Sequence, residues 1–128
     1  MHDVLALPGY CAWRGHRILG VATYAFDKDR AELAAIEVSS DQRLRGIGSA
    51  LIEAVVSTVA ALGGRELWLV TTNDNLDALR LYQRRGFHLA RLDSGGINRA
   101  RDLKPTIPLL GRYGIPMRDE LMLVRPLP

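Results

Sequence analysis

The sequence predicts a mixed α/β fold: a mostly antiparallel sheet flanked by helices, as a single domain over residues 1–128. Three observations carry that reading. Residues 10–39 alternate short β-friendly runs with turn residues, as an antiparallel meander does. Residues 36–62 pass from a strand through a glycine-rich turn into a helical apolar pattern. Residues 65–87 repeat the order of strand and helix and close on a glycine and an aromatic.

Taken in order, Val4, Leu5 and Leu7 form a short entry segment, and Pro8-Gly9 signals a turn. Residues 10–14 read as a strand, Gly15-His16 as a hairpin turn and residues 17–26 as the partner strand. Asp27-Lys28-Asp29-Arg30 is a polar turn, and residues 31–39 are the third strand. Ser49 opens a helix that places Leu51, Ile52, Val55, Val56, Val59 and Leu62 on one broad face. Residues 65–72 read as a buried strand through Leu67, Trp68, Leu69 and Val70. Asn75 suits the N-cap of a second helix, and Gly86 suits its C′ position. A strand at residues 88–92 follows, then the loop Asp93-Ser94-Gly95-Gly96. Residues 97–103 permit a basic helix, after which Pro105, Pro108, Gly111, Gly114 and Pro116 interrupt regular structure. Residues 93–118 thus form a long loop of the kind that carries function. Residues 120–124 close the chain as a strand.

Composition narrows the class. Apolar residues make up 48% and charged residues 24%, as in a soluble globular protein. The apolar runs are too short to cross a membrane, and no basic-then-apolar leader opens the chain. A single cysteine, Cys11, excludes internal disulfides and points to the reducing cytoplasm. The net charge of +3 raises nucleic acid as a partner. Against it, the arginines are scattered among acids, there is no basic run, and the few aromatics form no stacking array. A basic surplus also suits a polyanionic small molecule. His16 reads as a solvated turn residue, with no second ligand type near it, so no metal is expected.

The chemistry concentrates at Gln42-Arg43-Leu44-Arg45-Gly46-Ile47-Gly48-Ser49, where a strand turns into a helix. Glycine lets backbone N–H groups approach a ligand. The first N–H groups of a helix lack internal partners and carry the positive end of its dipole, so this is an anion site. A P-loop is excluded because no lysine precedes Ser49, and a dinucleotide fingerprint because Leu51 stands where a third Gly or Ala belongs. What remains is Arg43-x-x-Gly46-x-Gly48, which resembles the acetyl-CoA pyrophosphate loop of the GNAT N-acetyltransferase superfamily. A second motif, Asn75-x-x-Ala78-x-x-x-Tyr82-x-x-x-Gly86-Phe87, is similar to that superfamily's at every named position. Ala78 and Tyr82, four apart, share one helix face.

The resemblance implies a GNAT-like fold with two central strands, near Val38 and Val70, that run parallel and splay at one end. It implies acetyl-CoA as co-substrate, held by Val38, Arg43, Leu44, Arg45, Gly46, Ile47, Gly48, Ser49, Asn75, Ala78 and Tyr82. The strand is expected to bulge around Glu37 and Val38, leaving backbone groups unpaired for the cofactor arm. Tyr82 is the candidate general acid for the leaving thiolate, because a phenol of pKa ~10 stays protonated where a thiol of pKa ~8.5 begins to ionise. Glu37 is the candidate base. Alternation puts it on the face of Leu33 and Ala35, which predicts partial burial and a raised pKa. His88 and Glu120 are weaker candidates for the base, Asn75 serves as both helix cap and cofactor contact, and Phe87 belongs to the core.

The implied reaction is direct transfer of an acetyl group to a primary amine of a small molecule or peptide. The alternative is a CoA-binding regulatory or assembly module without catalysis. The intact motif around Tyr82 favours the enzyme. One departure matters: a first strand and two helices normally precede the meander in the superfamily, and they help to wall the acceptor site. Residues 1–9 leave little room for them. Either the acceptor site is built differently, or a partner subunit in a homodimer supplies the wall, or the true chain starts upstream of Met1, so no acceptor residues carry over.

Overall fold

A computed structural model describes residues 7–39 and 46–128. In chain order the elements are β1 (Gly9–Arg14), β2 (Arg17–Asp27), β3 (Arg30–Val38), α1 (Ile47–Ala61), β4 (Glu66–Thr72), α2 (Leu76–Arg84), β5 (His88–Asp93), α3 (Gly96–Leu103) and β6 (Glu120–Pro126). The strand order is β1-β2-β3-β4-β6-β5, a mixed sheet of the predicted class. The chain divides into two units, residues 1–68 with 125–128, and residues 69–124.

In the first unit, β1 and β2 are joined by the two-residue turn Gly15-His16, closed by the pair Arg14↔Arg17. Gly15 takes φ +60°, which glycine adopts without the strain of a Cβ. The β2–β3 ladder runs antiparallel from Gly20↔Val38 to Asp27↔Arg30. β3 and β4 are parallel, with the pairs Arg30↔Glu66, Ala31↔Leu67 and Glu32↔Trp68 at the start of both strands. Parallel neighbours need a crossover, and α1 provides it.

α1 packs on β1, β2 and β3. It buries Leu51, Ile52, Val55, Val56 and Val59, and each such side chain contributes roughly 1.5–3 kcal/mol relative to exposure. The sheet answers with Leu19, Ala22, Tyr24, Ala31 and Leu33, all buried. Leu62, expected on the same stripe, falls at the helix C-cap and is 64% exposed. The stripe ends where the helix does. At the other end of the unit, Arg125 grips Glu53 of α1 through two N–H···O bonds of 2.7 and 3.2 Å.

In the second unit, α2 ends as its sequence predicts. Gly86 takes φ +87°, and the Phe87 N–H turns back to the Tyr82 carbonyl at 3.0 Å. Phe87 is fully buried and meets the Tyr82 ring edge-on, with centroids 5.8 Å apart. Ile97 and Leu123 are the other deeply buried side chains of this unit, with Leu69. In β4, Leu67 and Leu69 are buried, whereas Trp68 is half-buried and Val70 exposed. The strand therefore has one core face, where the unbroken apolar run predicted burial on both. Residues 93–118 contain α3 and a 3₁₀ turn at Arg112–Gly114.

At Gly20 the α1 side chains lie close against the sheet. A Cβ there would lie 3.0 Å from the Leu51 Cδ1 atom, 3.2 Å from the Ile47 Cγ2 atom and 3.0 Å from the Glu37 carbonyl oxygen. Gly20→Val should therefore push α1 outward and destabilise the fold by ~1–3 kcal/mol, the usual cost of overpacking. Urea denaturation of the variant against wild type measures it.

Candidate functional site

Two clusters of predicted residues can be built up separately, one in each unit. The first lies where β3 ends and α1 begins. Gly46 is the α1 N-cap residue and sits at φ +79°, a left-handed conformation that turns the chain sharply into the helix. No side chain caps α1, and its first turn holds no acid. The first intrahelical bond is Ala50 N–H to the Gly46 carbonyl, at 3.0 Å. The N–H groups of Ile47, Gly48 and Ser49 precede it and have no partner within the helix, so donors and dipole are both available to an anion. Arg43, Leu44 and Arg45 lie outside the described residues.

Gly20 brings this helix start to the end of β3. It pairs with Val38, and both Ile47 and the Glu37 carbonyl crowd the space above its Cα. A cleft of about 290 Å³ opens here, lined by Ile18, Leu19, Gly20, Val21, Glu37, Val38 and Ser39. Val38, the last residue of β3, is half-buried, and the Ser39 N–H donates to the Leu19 carbonyl at 2.8 Å.

Glu37 departs from expectation, and the cause is a β-bulge. The register runs without a break from Gly20↔Val38 through Val21↔Glu37 and Ala22↔Ile36 to Thr23↔Ala35, then jumps to Tyr24↔Leu33. Ala34 is the extra residue. The bulge expected around Glu37 and Val38 thus falls three residues earlier, at Ala34. Because Thr23 and Tyr24 point to opposite faces, so do Ala35 and Leu33. Glu37 shares its face with Val21 and Thr23, away from Leu33, and it is exposed where partial burial was predicted. Its carboxylate takes part in no ion pair or hydrogen bond among the described residues.

The second cluster lies on α2. Tyr82 is 6% exposed, and Ala78, one turn before it, is half-buried. Asn75 stands at the N-cap position but does not cap with its side chain. Its backbone carbonyl accepts the Leu79 N–H at 2.9 Å, its Nδ2 donates to the Thr71 hydroxyl at 3.1 Å, and its Oδ1 is buried without a partner. The predicted capping role is therefore corrected: the side chain is turned into the unit. Asp77 in the first turn of α2 supplies the charge that favours a helix start. Of the weaker base candidates, His88 is exposed on β5 and Glu120 is half-buried at the start of β6.

Sequence reading missed a polar frame around the start of α2. The Asn73 side chain donates to the Pro116 carbonyl at 2.9 Å and accepts the N–H groups of Arg118 and Asp119 at 3.0 and 2.9 Å. Asp74, buried at 4% exposure, accepts the Arg112 N–H at 2.9 Å. Tyr113, at φ +60°, donates its hydroxyl to Asp77 at 2.6 Å. Arg101 donates to the carbonyls of Ile107, Pro108 and Met117 at 3.1, 2.9 and 2.7 Å. Residues 104–119 are thereby fixed from both sides. Asn and Asp immediately before a helix, facing a Pro/Gly-rich stretch, were the available signal. Burial alone raises the Asp74 pKa. The bonds from the Thr72 side chain and the Arg112 and Asp74 backbone, with the Arg112 charge, outweigh it and leave the pKa below the ordinary aspartate value.

Among the described residues no group of three His, Cys, Asp or Glu side chains gathers for a metal, and no helix is long and apolar enough to cross a membrane. Comparison with known proteins agrees with the geometry. The pattern of the Acetyltransferase (GNAT) family matches residues 3–87. The uncharacterised protein YxbD of Bacillus subtilis (strain 168) is 40% identical over 112 residues, covering 88% of this chain and 69% of that protein. Streptothricin acetyltransferase of Streptomyces lavendulae is 35% identical over 72 residues, 56% of this chain and 38% of that protein. A Bacillus subtilis acetyltransferase solved in complex with CoA superposes with a TM-score of 0.81 at 25% identity, covering 94% of this chain and 76% of the other.

The depressed Asp74 pKa sets a pH dependence. The folded value lies below the unfolded ~3.9, so the carboxylate's stabilisation is complete above that value and disappears as pH falls through the folded pKa. The Arg112 amide resonance, followed by NMR, should titrate with a midpoint below ~3.9. In Asp74→Ala the part-buried Arg112 N–H loses its acceptor, at a cost of roughly 1 kcal/mol, and amides 111–117 should exchange faster than in wild type at neutral pH.

Proposed function

Because this chain belongs to the GNAT acetyltransferase family, we propose that it moves an acetyl group directly from acetyl-CoA to a primary amine of a small molecule or peptide. The observation that carries the reading is the uncapped start of α1, with Gly46 in the left-handed conformation, set against the end of β3 and its cleft. In this reading the N–H groups of Gly46, Ile47, Gly48 and Ser49 hold the pyrophosphate, together with the basic loop of Arg43, Leu44 and Arg45. The pantetheine arm follows Val38.

The reaction then needs few groups. The amine nitrogen attacks the thioester carbon, the C–S bond breaks, the sulfur takes a proton and the nitrogen gives one up. Tyr82 is the donor to sulfur in this proposal, since a phenol stays protonated at neutral pH. Ala78, one turn earlier on the same face, leaves room for the cofactor, and the unpartnered Asn75 Oδ1 is an acceptor that a cofactor N–H can use. Glu37 receives the amine proton, directly or through water. The relative named streptothricin acetyltransferase supports acetyl transfer as the reaction. An exposed free thiol, Cys11, suits the reducing cytoplasm as the setting.

A CoA-binding module without catalysis is the second reading. One observation favours it: Tyr82 is 6% exposed and packs edge-on against Phe87, as a purely structural aromatic does.

Two variants test these readings. Gly48→Glu places an acid in the first turn of α1, where the dipole favours it, so the fold should hold while the pyrophosphate is repelled. Calorimetry should show acetyl-CoA binding lost with the thermal midpoint unchanged or raised. Unchanged affinity removes the helix start as the cofactor site. Tyr82→Phe should keep acetyl-CoA affinity, change stability by no more than ~1 kcal/mol and lower kcat by ~10²–10⁴. Turnover near wild type, with chemistry rate-limiting, assigns Tyr82 to packing.

A further inference from the structure

The cationic side chains of the chain number 17, and they are divided unevenly: all are arginines except Lys28 and Lys104. The structure divides them by task as well. The ion pairs Arg30–Glu66, Arg65–Asp29, Arg99–Asp93, Arg118–Asp119 and Arg125–Glu53 all take arginine as the cation. So do the bonds from Arg101 to three main-chain carbonyls and the contact of Arg30 with the Trp68 ring. Both lysines are exposed, and neither ammonium enters an ion pair or hydrogen bond among the described residues. What they contribute is main chain. Lys28 stands at φ +61° in the two-residue turn between β2 and β3, closed by the pair Asp27↔Arg30. The Lys104 N–H donates to the Ala100 carbonyl at 2.9 Å, and its carbonyl accepts the Ile107 N–H at 3.2 Å.

Lysine and arginine part company in front of a thioester. The uncharged ε-amine of a lysine attacks the carbonyl carbon of acetyl-CoA. The N–C bond forms, the C–S bond breaks, and the proton lost by nitrogen goes to the CoA thiolate, leaving Nε-acetyl-lysine and CoA. A guanidinium keeps its proton and delocalises its charge, so it offers no such nitrogen. Resting on the acetyltransferase reading above, we propose that Lys28 and Lys104 take acetyl groups from acetyl-CoA, and that fold and cofactor binding are unaffected because the cations bonded within the structure are arginines. Acetylation removes a lysine's charge and any ion pair it makes. At these two positions there is no pair to lose, and the main-chain bonds of the turn and of the α3 end do not involve the amine.

The test treats the whole protein with acetyl-CoA and, in a parallel arm, with acetyl phosphate, a donor that needs no CoA site. Peptide mapping by mass spectrometry locates the acetyl groups. Both lysines should be acetylated, while the thermal midpoint and the acetyl-CoA affinity by calorimetry stay as in the untreated protein. The double variant Lys28→Arg, Lys104→Arg should take no acetyl on a side-chain nitrogen and match wild type in both readings. Arg125→Lys keeps a cation against Glu53 but makes it acylable. Residue 125 should then be acetylated, and the treated variant should melt ~3–6 °C below the untreated one. If Arg125→Lys does not fold, Arg30→Lys, at the pair with Glu66, is read the same way. A wild type in which either lysine stays unmodified, or which melts earlier or binds acetyl-CoA more weakly once both are acetylated, overturns the proposal. So does an introduced lysine that escapes acetylation or takes it without loss of midpoint, since arginine then protects nothing. Wild type that binds no acetyl-CoA removes the acetyltransferase reading instead, and the acetyl phosphate arm still decides the two modification sites.

Discussion

The close approach of α1 to β2 at Gly20 is the constraint on which the first unit depends. Five buried side chains, Leu51, Ile52, Val55, Val56 and Val59, hold the helix on the sheet, but they fix only its face. Where the helix begins along β2 is set at its first turn, where Ile47 and Leu51 occupy the space that a side chain on residue 20 would take. Since Gly20 is also the register partner of Val38, the same contact ties the helix's positive end to the last residue of β3. The uncapped start of a helix and a strand end meet because one residue lacks a side chain.

The Ala34 bulge has an equally local cause and a wider effect. One inserted residue exchanges the faces of everything after it, so residues 35–38 point opposite to where plain alternation from Leu33 would send them. Ile36 and Val38 thereby turn with Ala22 and Gly20 toward α1, and Glu37 turns out toward solvent beside Val21. Without the bulge the carboxylate would point at the hydrophobic underside of the helix, where a charge is not tolerated without a partner. Another bulge, at Ala90 between Leu89 and Arg91, interrupts the edge strand β5, where such irregularities discourage pairing with another chain.

What could be read from the residues follows the range of the interaction concerned. The Gly15 hairpin, the apolar stripe of α1 and the Gly86 helix end are decided within a few positions of chain, and apart from Leu62 they appear where the residues indicate them. The Ala34 bulge was not legible, because alanine adopts regular and bulged strand equally well and the register is settled by both strands together. Nor was the orientation of Asn75, whose type suits a cap so well that a non-capping use leaves no trace in the sequence. The frame around α2 is the extreme case: Asp74 meets Arg112 38 residues on, and Asn73 meets Arg118 45 residues on. Pairings at that distance exist only once the chain has folded.

Arg101 anchors the segment that follows α3. Its guanidinium serves three main-chain carbonyls and the Asn98 side chain, and Asn73 likewise bonds to main-chain groups of the opposing segment. Bonds to backbone are indifferent to the side chains they pass beneath. The tip of this segment, with Leu109 and Leu110 facing outward, can therefore change its chemistry without changing its path. Gly111 is the exception, since a Cβ there would strike the Asp74 carboxylate. A segment anchored by its main chain and decorated freely at its tip is a natural cassette for directed evolution: libraries varied at residues 109 and 110, with 73, 74, 101, 111 and 113 held constant, should yield folded proteins at high frequency.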